Sequence, residues 1–186
     1  MAMPGAAQRS GTQRAGEQQE GLFQRRNELT LARLRPGVDS MDRARKLYGK
    51  HWKKKPSPGG EAADRREVWR DICTWKELQI EYNEKGVIQS VTALVLRPTL
   101  FVDCFGGNSR GNPWRTGRGL QLRDTKVRVL ELYGAPDSLG PSTEGGRELE
   151  LMFYAFDWAG ADVPQVMEVT IESGRVVQIL LAAQSL

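Results

Sequence analysis

Gly119-Leu120-Gln121-Leu122-Arg123-Asp124-Thr125 runs on through Val127 and Leu130 to Leu132-Tyr133-Gly134-Ala135-Pro136, and the reading of this stretch decides the fold. It spells a short turn, a capped helix and a hard stop. Asp124 or Thr125 can cap the helix by accepting a hydrogen bond from a first-turn N–H that has no partner within the helix. Val127, Leu130 and Tyr133 fall at helical spacing, which predicts one apolar face. Gly134 can take the left-handed conformation that ends a helix, and Pro136 blocks continuation. The same message occurs earlier, in Val38-Asp39-Ser40-Met41-Asp42-Arg43-Ala44-Arg45-Lys46-Leu47-Tyr48-Gly49, with a like cap and the same Leu-Tyr-Gly ending.

Working outward, the two copies bring matching neighbours. In the first, Thr30 is placed to cap a short helix carrying Leu31 and Leu34, Pro36-Gly37 makes a turn, and Asp39/Ser40 opens a second helix. Leu78, Ile80 and Tyr82 then alternate with polar residues, as in a strand with one buried face. Asn83-Glu84-Lys85-Gly86 reads as a hairpin turn, and residues 87–96 return as an apolar strand. In the second, Arg147-Glu148-Leu149 echoes Arg66-Glu67-Val68, and Met167, Val169 and Ile171 mirror the first strand series. Glu172-Ser173-Gly174 replaces the turn, and Val176 to Leu181 closes the sheet. The helix stops stand 85 residues apart and the turn glycines 88, so an internal repeat is expected. Residues 1–27 read as a disordered tail, 28–96 as repeat 1, 97–118 as a Gly- and Pro-rich linker, and 119–186 as repeat 2.

The chain of 186 residues carries a net charge of +4, unevenly spread. Residues 1–60 hold a net +8 and the remainder a net −4, so the basic excess belongs to the tail and first helix region. No apolar run reaches the length of a membrane span, and no signal-peptide core is present. Pro4-Gly5-Ala6-Ala7 before Gln8 has the look of the end of a cleavage region, which hints at a signal peptide begun upstream.

No constellation for catalysis emerges. The only histidine, His51, sits among Lys50, Lys53 and Lys54 with no fixed partner to make it a base. Two cysteines and one histidine lack the short spacings of a zinc site, so no metal and no cofactor is expected. Phe105-Gly106-Gly107-Asn108 lacks the Lys-Ser/Thr pair of a phosphate loop. Glu148 and Glu150 form a solvated strand edge.

The aromatic residues are the functional signal. Aligning Val68 with Leu149 turns Val68, Ile72, Leu149, Leu151 and Phe153 toward the helices. The opposite face then carries Trp69, Asp71, Cys73 and Trp75 in repeat 1, and Glu150, Met152, Tyr154 and Phe156 in repeat 2, with Trp158 in the loop beyond. Trp, Tyr, Phe and Met are what protein-binding surfaces concentrate; a second core covered by other elements is the competing reading. Lys53-Lys54-Lys55 beside Trp52 is a basic patch that reads as a solvated loop, with nucleic-acid contact as the alternative.

Two tandem units of this kind resemble the β-lactamase inhibitory protein (BLIP) family, and the single unit is similar to the SmpA/OmlA (BamE) lipoproteins. The residues that carry the likeness are Leu29-Thr30-Leu31, Gly37 and Leu47-Tyr48-Gly49, then Leu122-Arg123-Asp124-Thr125, Leu132-Tyr133-Gly134 and Pro136, within an architecture covering about residues 28–184. The resemblance implies a bacterial, extracytoplasmic, non-catalytic protein that binds other proteins across the open face of its sheets. No cysteine near the N-terminus is placed to carry a lipid, and two cysteines are fewer than one disulfide per repeat needs, so inhibition of a β-lactamase does not carry over. The oxidising compartment favours a Cys73–Cys104 disulfide over two buried thiols. Such a bridge would close a loop of about 30 residues and stabilise by about 3–4 kcal/mol. The expected fold is α+β: two tandem repeats, each a helix-turn-helix packed on one face of an antiparallel β-sheet. The expected function is a monomeric, periplasmic or secreted protein-binding or inhibitor-like module. The alternative is a cytoplasmic interaction protein whose basic N-terminal region contacts nucleic acid.

Overall fold

The computed structural model describes residues 30–49, 65–97, 114–156 and 165–183. It is mostly β. Among these residues the elements in chain order are α1 (Met41–Tyr48), β1 (Arg66–Asp71), β2 (Lys76–Tyr82), β3 (Ile88–Val95), α2 (Lys126–Tyr133), β4 (Ser138–Glu144), β5 (Arg147–Phe156), β6 (Gln165–Glu172) and β7 (Arg175–Ala183). The strands form one seven-stranded sheet in the order β1-β2-β3-β7-β6-β5-β4, every neighbouring pair antiparallel. The expected α+β fold of two helix-turn-helix repeats is therefore corrected: each half supplies one short helix to a single continuous sheet.

The missing helix is explained by Leu31-Ala32-Arg33-Leu34. Leu31 and Leu34 exchange both backbone hydrogen bonds at 3.0 Å, closing a two-residue reversal. Its central residues, Ala32 and Arg33, have φ of 55° and 63°, the left-handed pair that a tight hairpin demands. Two such residues cost about 1–3 kcal/mol each. Leu31 and Leu34 are both fully buried, each worth about 1.5–3 kcal/mol. Burial and the paired hydrogen bonds together outweigh the local strain. The reversal also pairs with the end of the expected linker: Ala32 N–H donates to Arg115 C=O at 3.0 Å, and Leu31 bridges Thr116.

Both helices are capped and stopped alike. Ser40 and Thr125 cap them, accepting from the Arg43 and Arg128 N–H groups. The aspartate before each cap holds the turn instead, accepting from Arg35 N–H at 2.7 Å in one case and Gln121 N–H at 2.9 Å in the other. Gly49 and Gly134 follow with φ of 72° and 74°, and their N–H groups return to Arg45 and Leu130. The buried residues of α2 are Val129 and Tyr133, and those of α1 are Met41 and Ala44, the last being the counterpart of Val129. Val127 and Leu130 point outward, so the expected 127–130–133 face is corrected to one residue in that series.

The halves repeat each other's hydrogen bonds. Met41 N–H donates to Gly86 C=O and Lys126 N–H to Gly174 C=O, both at 3.0 Å. Ile88 N–H reaches Asp39 C=O and Val176 N–H reaches Asp124 C=O, both at 2.9 Å. Trp69 Nε1 donates to Gly49 C=O at 3.2 Å, and Tyr154 Oη to Gly134 C=O at 3.1 Å. Tyr48 lies against Trp69 at 5.8 Å between ring centres, as Tyr133 lies against Tyr154 at 5.7 Å. β1, β2 and β3 thus correspond to β5, β6 and β7, and β4 has no counterpart among the described residues.

Cross-strand register sorts the two faces. Trp69, Leu78, Ala93, Ile179, Val169, Met152 and Leu139 stand in one row across all seven strands. All but the edge residue Leu139 are buried. This is the helix-covered face, and the core lies between it and α1, α2 and the turns before them. One helix–strand position differs in kind between the halves. Arg45 of α1 pairs with the buried Glu67 of β1, which raises the guanidinium pKa above its usual value. Their counterparts are Leu130 and Met152. An ion pair in one half is thus replaced by two apolar residues in the other, Leu130 outward-facing and Met152 buried.

Candidate functional site

Both helices pack on one face, and no helix among the described residues lies on the other. The central row of that open face reads Val68, Gln79, Thr92, Leu180, Glu168, Phe153. Side chains in a row stand about 4.5–5.5 Å apart at Cβ, so they form a continuous surface. The first three belong to one half of the chain and the last three, in reverse order, to the other.

The two halves of this face differ in chemistry. On the first, Arg66 pairs with Glu81 and Arg70 with Glu77. Gln79 Nε2 donates to Glu77 at 2.6 Å, and Ser90 Oγ to Glu81 at 2.9 Å. Charges paired along a sheet are satisfied locally and offer little to a visitor. On the second half the places of Arg66, Arg70 and Glu77 hold Leu151, Ala155 and Val166, with Phe153 and Leu180 beside them, while those of Gln79, Glu81 and Ser90 hold Glu168, Thr170 and Gln178. Leu151, Phe153, Val166 and Leu180 are half-buried. Half-buried apolar side chains gathered on one flat surface are what an interaction site offers.

The structure places the sequence-expected anchors elsewhere. Trp69, Met152, Tyr154 and Phe156 are 6%, 0%, 0% and 3% exposed and belong to the core. They face the helices, so the assignment of faces is corrected by inversion. The alignment is not the cause: Trp69 is the counterpart of Tyr154, 85 positions away, and pairing Val68 with Leu149 implies 81, an even difference that leaves each residue on its own face. β5 is apolar on both faces, so its pattern does not say which one meets the helices. Val68, Leu149, Leu151 and Phe153, read as facing the helices, lie on the other side, where Val68 and Leu149 are nevertheless buried at 7% and 8% exposure and Leu151 and Phe153 are half-buried. Trp75 is half-buried in the turn between β1 and β2 with φ of 53°, and its C=O accepts from Leu96 N–H at 2.8 Å. Trp158 and the basic patch Lys53, Lys54 and Lys55 lie outside the described residues, as does His51.

Cys73 sits past the end of β1 rather than within it, where Asp71 Oδ1 accepts from both the Cys73 and Thr74 N–H groups at 3.1 Å. It is disulfide-bonded. Its expected partner, Cys104, lies outside the described residues. Among the described residues no cluster of three His, Cys, Asp or Glu side chains is placed to hold a metal, and no helix is long and apolar enough to cross a membrane. The Tyr48 phenol, half-buried and donating to Ala32 C=O, is pushed up to about 12 by desolvation, with Arg33 acting in the other direction.

No family profile and no curated protein matches the chain. Two solved structures are similar to it. One is YjgB of Bacillus subtilis, a DUF4309 family protein, at 10% identity over 81% of this chain and 82% of that one, with a TM-score of 0.47. The other is a candidate β-lactamase inhibitor protein of Streptococcus mutans, at 13% identity over 86% of this chain and 91% of that one, with a TM-score of 0.29. Neither likeness carries a functional conclusion for this chain.

Proposed function

We propose that this chain is a non-enzymatic protein-binding module, working outside the cytoplasm, that engages its partner across the open face of β5, β6 and β7. The observation that carries the reading is the apolar patch of Leu151, Phe153, Val166 and Leu180, which no helix among the described residues covers. Apolar and aromatic side chains at the centre of an interface supply most of its binding energy, and the flanking ion pairs of the first half supply a polar rim. The disulfide at Cys73 supports an oxidising compartment.

Photo-cross-linking tests the proposal. A photoreactive residue at Phe153 should give one discrete protein adduct in the source cells, and the same residue at the helix position Val127 should not. Phe153→Ser should then weaken the isolated complex by about 2 kcal/mol or more while leaving the melting temperature within a few degrees. Adducts from position 127 alone would refute the reading.

A further inference from the structure

Glu168 stands in the middle of that apolar patch. It lies directly opposite Phe153 on one side and Leu180 on the other, is half-buried, and its carboxylate makes no hydrogen bond or ion pair among the described residues. Its counterpart in the first half, Gln79, is engaged, donating to Glu77 at 2.6 Å. The residue that would play the part of Glu77 for Glu168 is Val166. The second half therefore sets a carboxylate where the first has an amide, beside an apolar residue where the first has that amide's acceptor.

A carboxylate so placed resists being covered. Any partner that seats an apolar group over it strips water from the charge without replacement, and binding suffers accordingly. A partner that brings a cation escapes that penalty. Arginine fits best, since its planar guanidinium can grip a carboxylate with two hydrogen bonds and also lie over an aromatic ring such as Phe153. The alkyl stem of either basic side chain can rest on Leu180.

We infer that the partner is a protein that sets an arginine or lysine over Glu168, flanked by apolar side chains that rest on Phe153 and Leu180. This rests on the reading of the open face as the docking surface, and it adds the chemistry of the occupant.

Selection of short random peptides displayed on phage, panned against the full chain, tests it. The selected peptides should share a basic residue set between apolar ones. They should bind Glu168→Gln at least about tenfold more weakly, and the Phe153→Ala/Leu180→Ala double variant more weakly still. Peptides that lose binding to the double variant but carry no basic residue, or ignore Glu168→Gln, would overturn the inference while leaving the docking face in place. Peptides indifferent to all these changes, or no enrichment at all, would overturn both. Sedimentation of the wild-type chain as a dimer that Glu168→Gln dissociates would assign the face to a second copy and likewise overturn it.

Discussion

Thr92 and Leu180 lie opposite each other where β3 meets β7, and each holds the same place in its own half of the chain, 88 positions from the other. A residue paired with its own counterpart marks a local two-fold axis. Every pairing outward from that point repeats in reverse order, so Val91 meets Leu181 as Ala93 meets Ile179. The axis also explains why the open face changes character at its midline: the same backbone carries Val, Gln and Thr on one side and Phe, Glu and Leu on the other.

Core and open-face aromatics should separate in a melt. Tyr154→Ala removes a fully buried ring that packs against Tyr133 and Phe156, and Trp69→Ala removes its counterpart. Each should cost about 3–5 kcal/mol of folding stability. Phe153→Ala, one position along the same strand, should cost about 1 kcal/mol or less, because the side chain is already half in solvent. Urea unfolding of the three variants measures the difference; equal losses at 153 and 154 would contradict the assignment of faces.

Arg45→Leu alone takes the guanidinium from a carboxylate whose side chain is 5% exposed, and should cost about 2–3 kcal/mol. Arg45→Leu with Glu67→Met copies the residues, Leu130 and Met152, that the other half has at these positions. The pair should recover to within about 1 kcal/mol of the parent, since the buried carboxylate is removed together with its half-exposed partner and no lone charge is left behind. A double variant worse than the single one would show that the two sites are not equivalent.

Tyr48 makes alkaline stability a specific expectation. Its phenol is held neutral to about 12 in the folded chain, whereas an unfolded tyrosine ionises near pH 10. The contribution is complete below about pH 10. Between about 10 and 12 the unfolded chain releases a proton that the folded chain retains, so stability falls as pH rises. Tyr48→Phe should flatten that decline, while losing about 1 kcal/mol at neutral pH with the hydrogen bond to Ala32. Denaturant melts across this range, with tyrosinate absorbance followed in parallel, check both.

Titration of the unreduced, denatured chain with a thiol reagent should find no free thiol. If Cys104 is the partner of Cys73, reduction should lower stability by about 3–4 kcal/mol through the loop it releases. A cross-linked peptide joining residues 73 and 104 after proteolysis identifies the pair. Two reactive thiols would exclude it.

Helix caps, helix stops and the hairpins at Gly86 and Gly174 were legible in the sequence because their signals are local: a side-chain oxygen before a helix, a glycine after it, a glycine between two alternating runs. The reversal at Leu31–Leu34 was not. Two leucines three apart suit one face of a helix as well as they flank a two-residue turn, and Ala-Arg lacks the Asn-Gly signature that would have decided it. β4 was hidden for a different reason. Ser-Leu-Gly-Pro-Ser-Thr-Glu has little strand preference of its own and is held by pairing with the apolar β5. The faces were inverted because β5 is apolar on both sides, Leu149, Leu151 and Phe153 against Met152, Tyr154 and Phe156. Period two says that a strand has two faces, not which of them meets the helices.

The β3–β7 junction has a consequence for concentration. A chain cut in the segment between residues 97 and 114 would leave two fragments, each with a bare strand edge at the same place, and edge would seek edge between molecules. Such fragments should associate, with themselves as readily as with each other, and dissociate again on dilution. In the intact chain the same pairing is intramolecular, at an effective concentration set by the connecting segment rather than by how much protein is present. Its unfolding should therefore be unchanged by dilution, while that of the paired fragments should not.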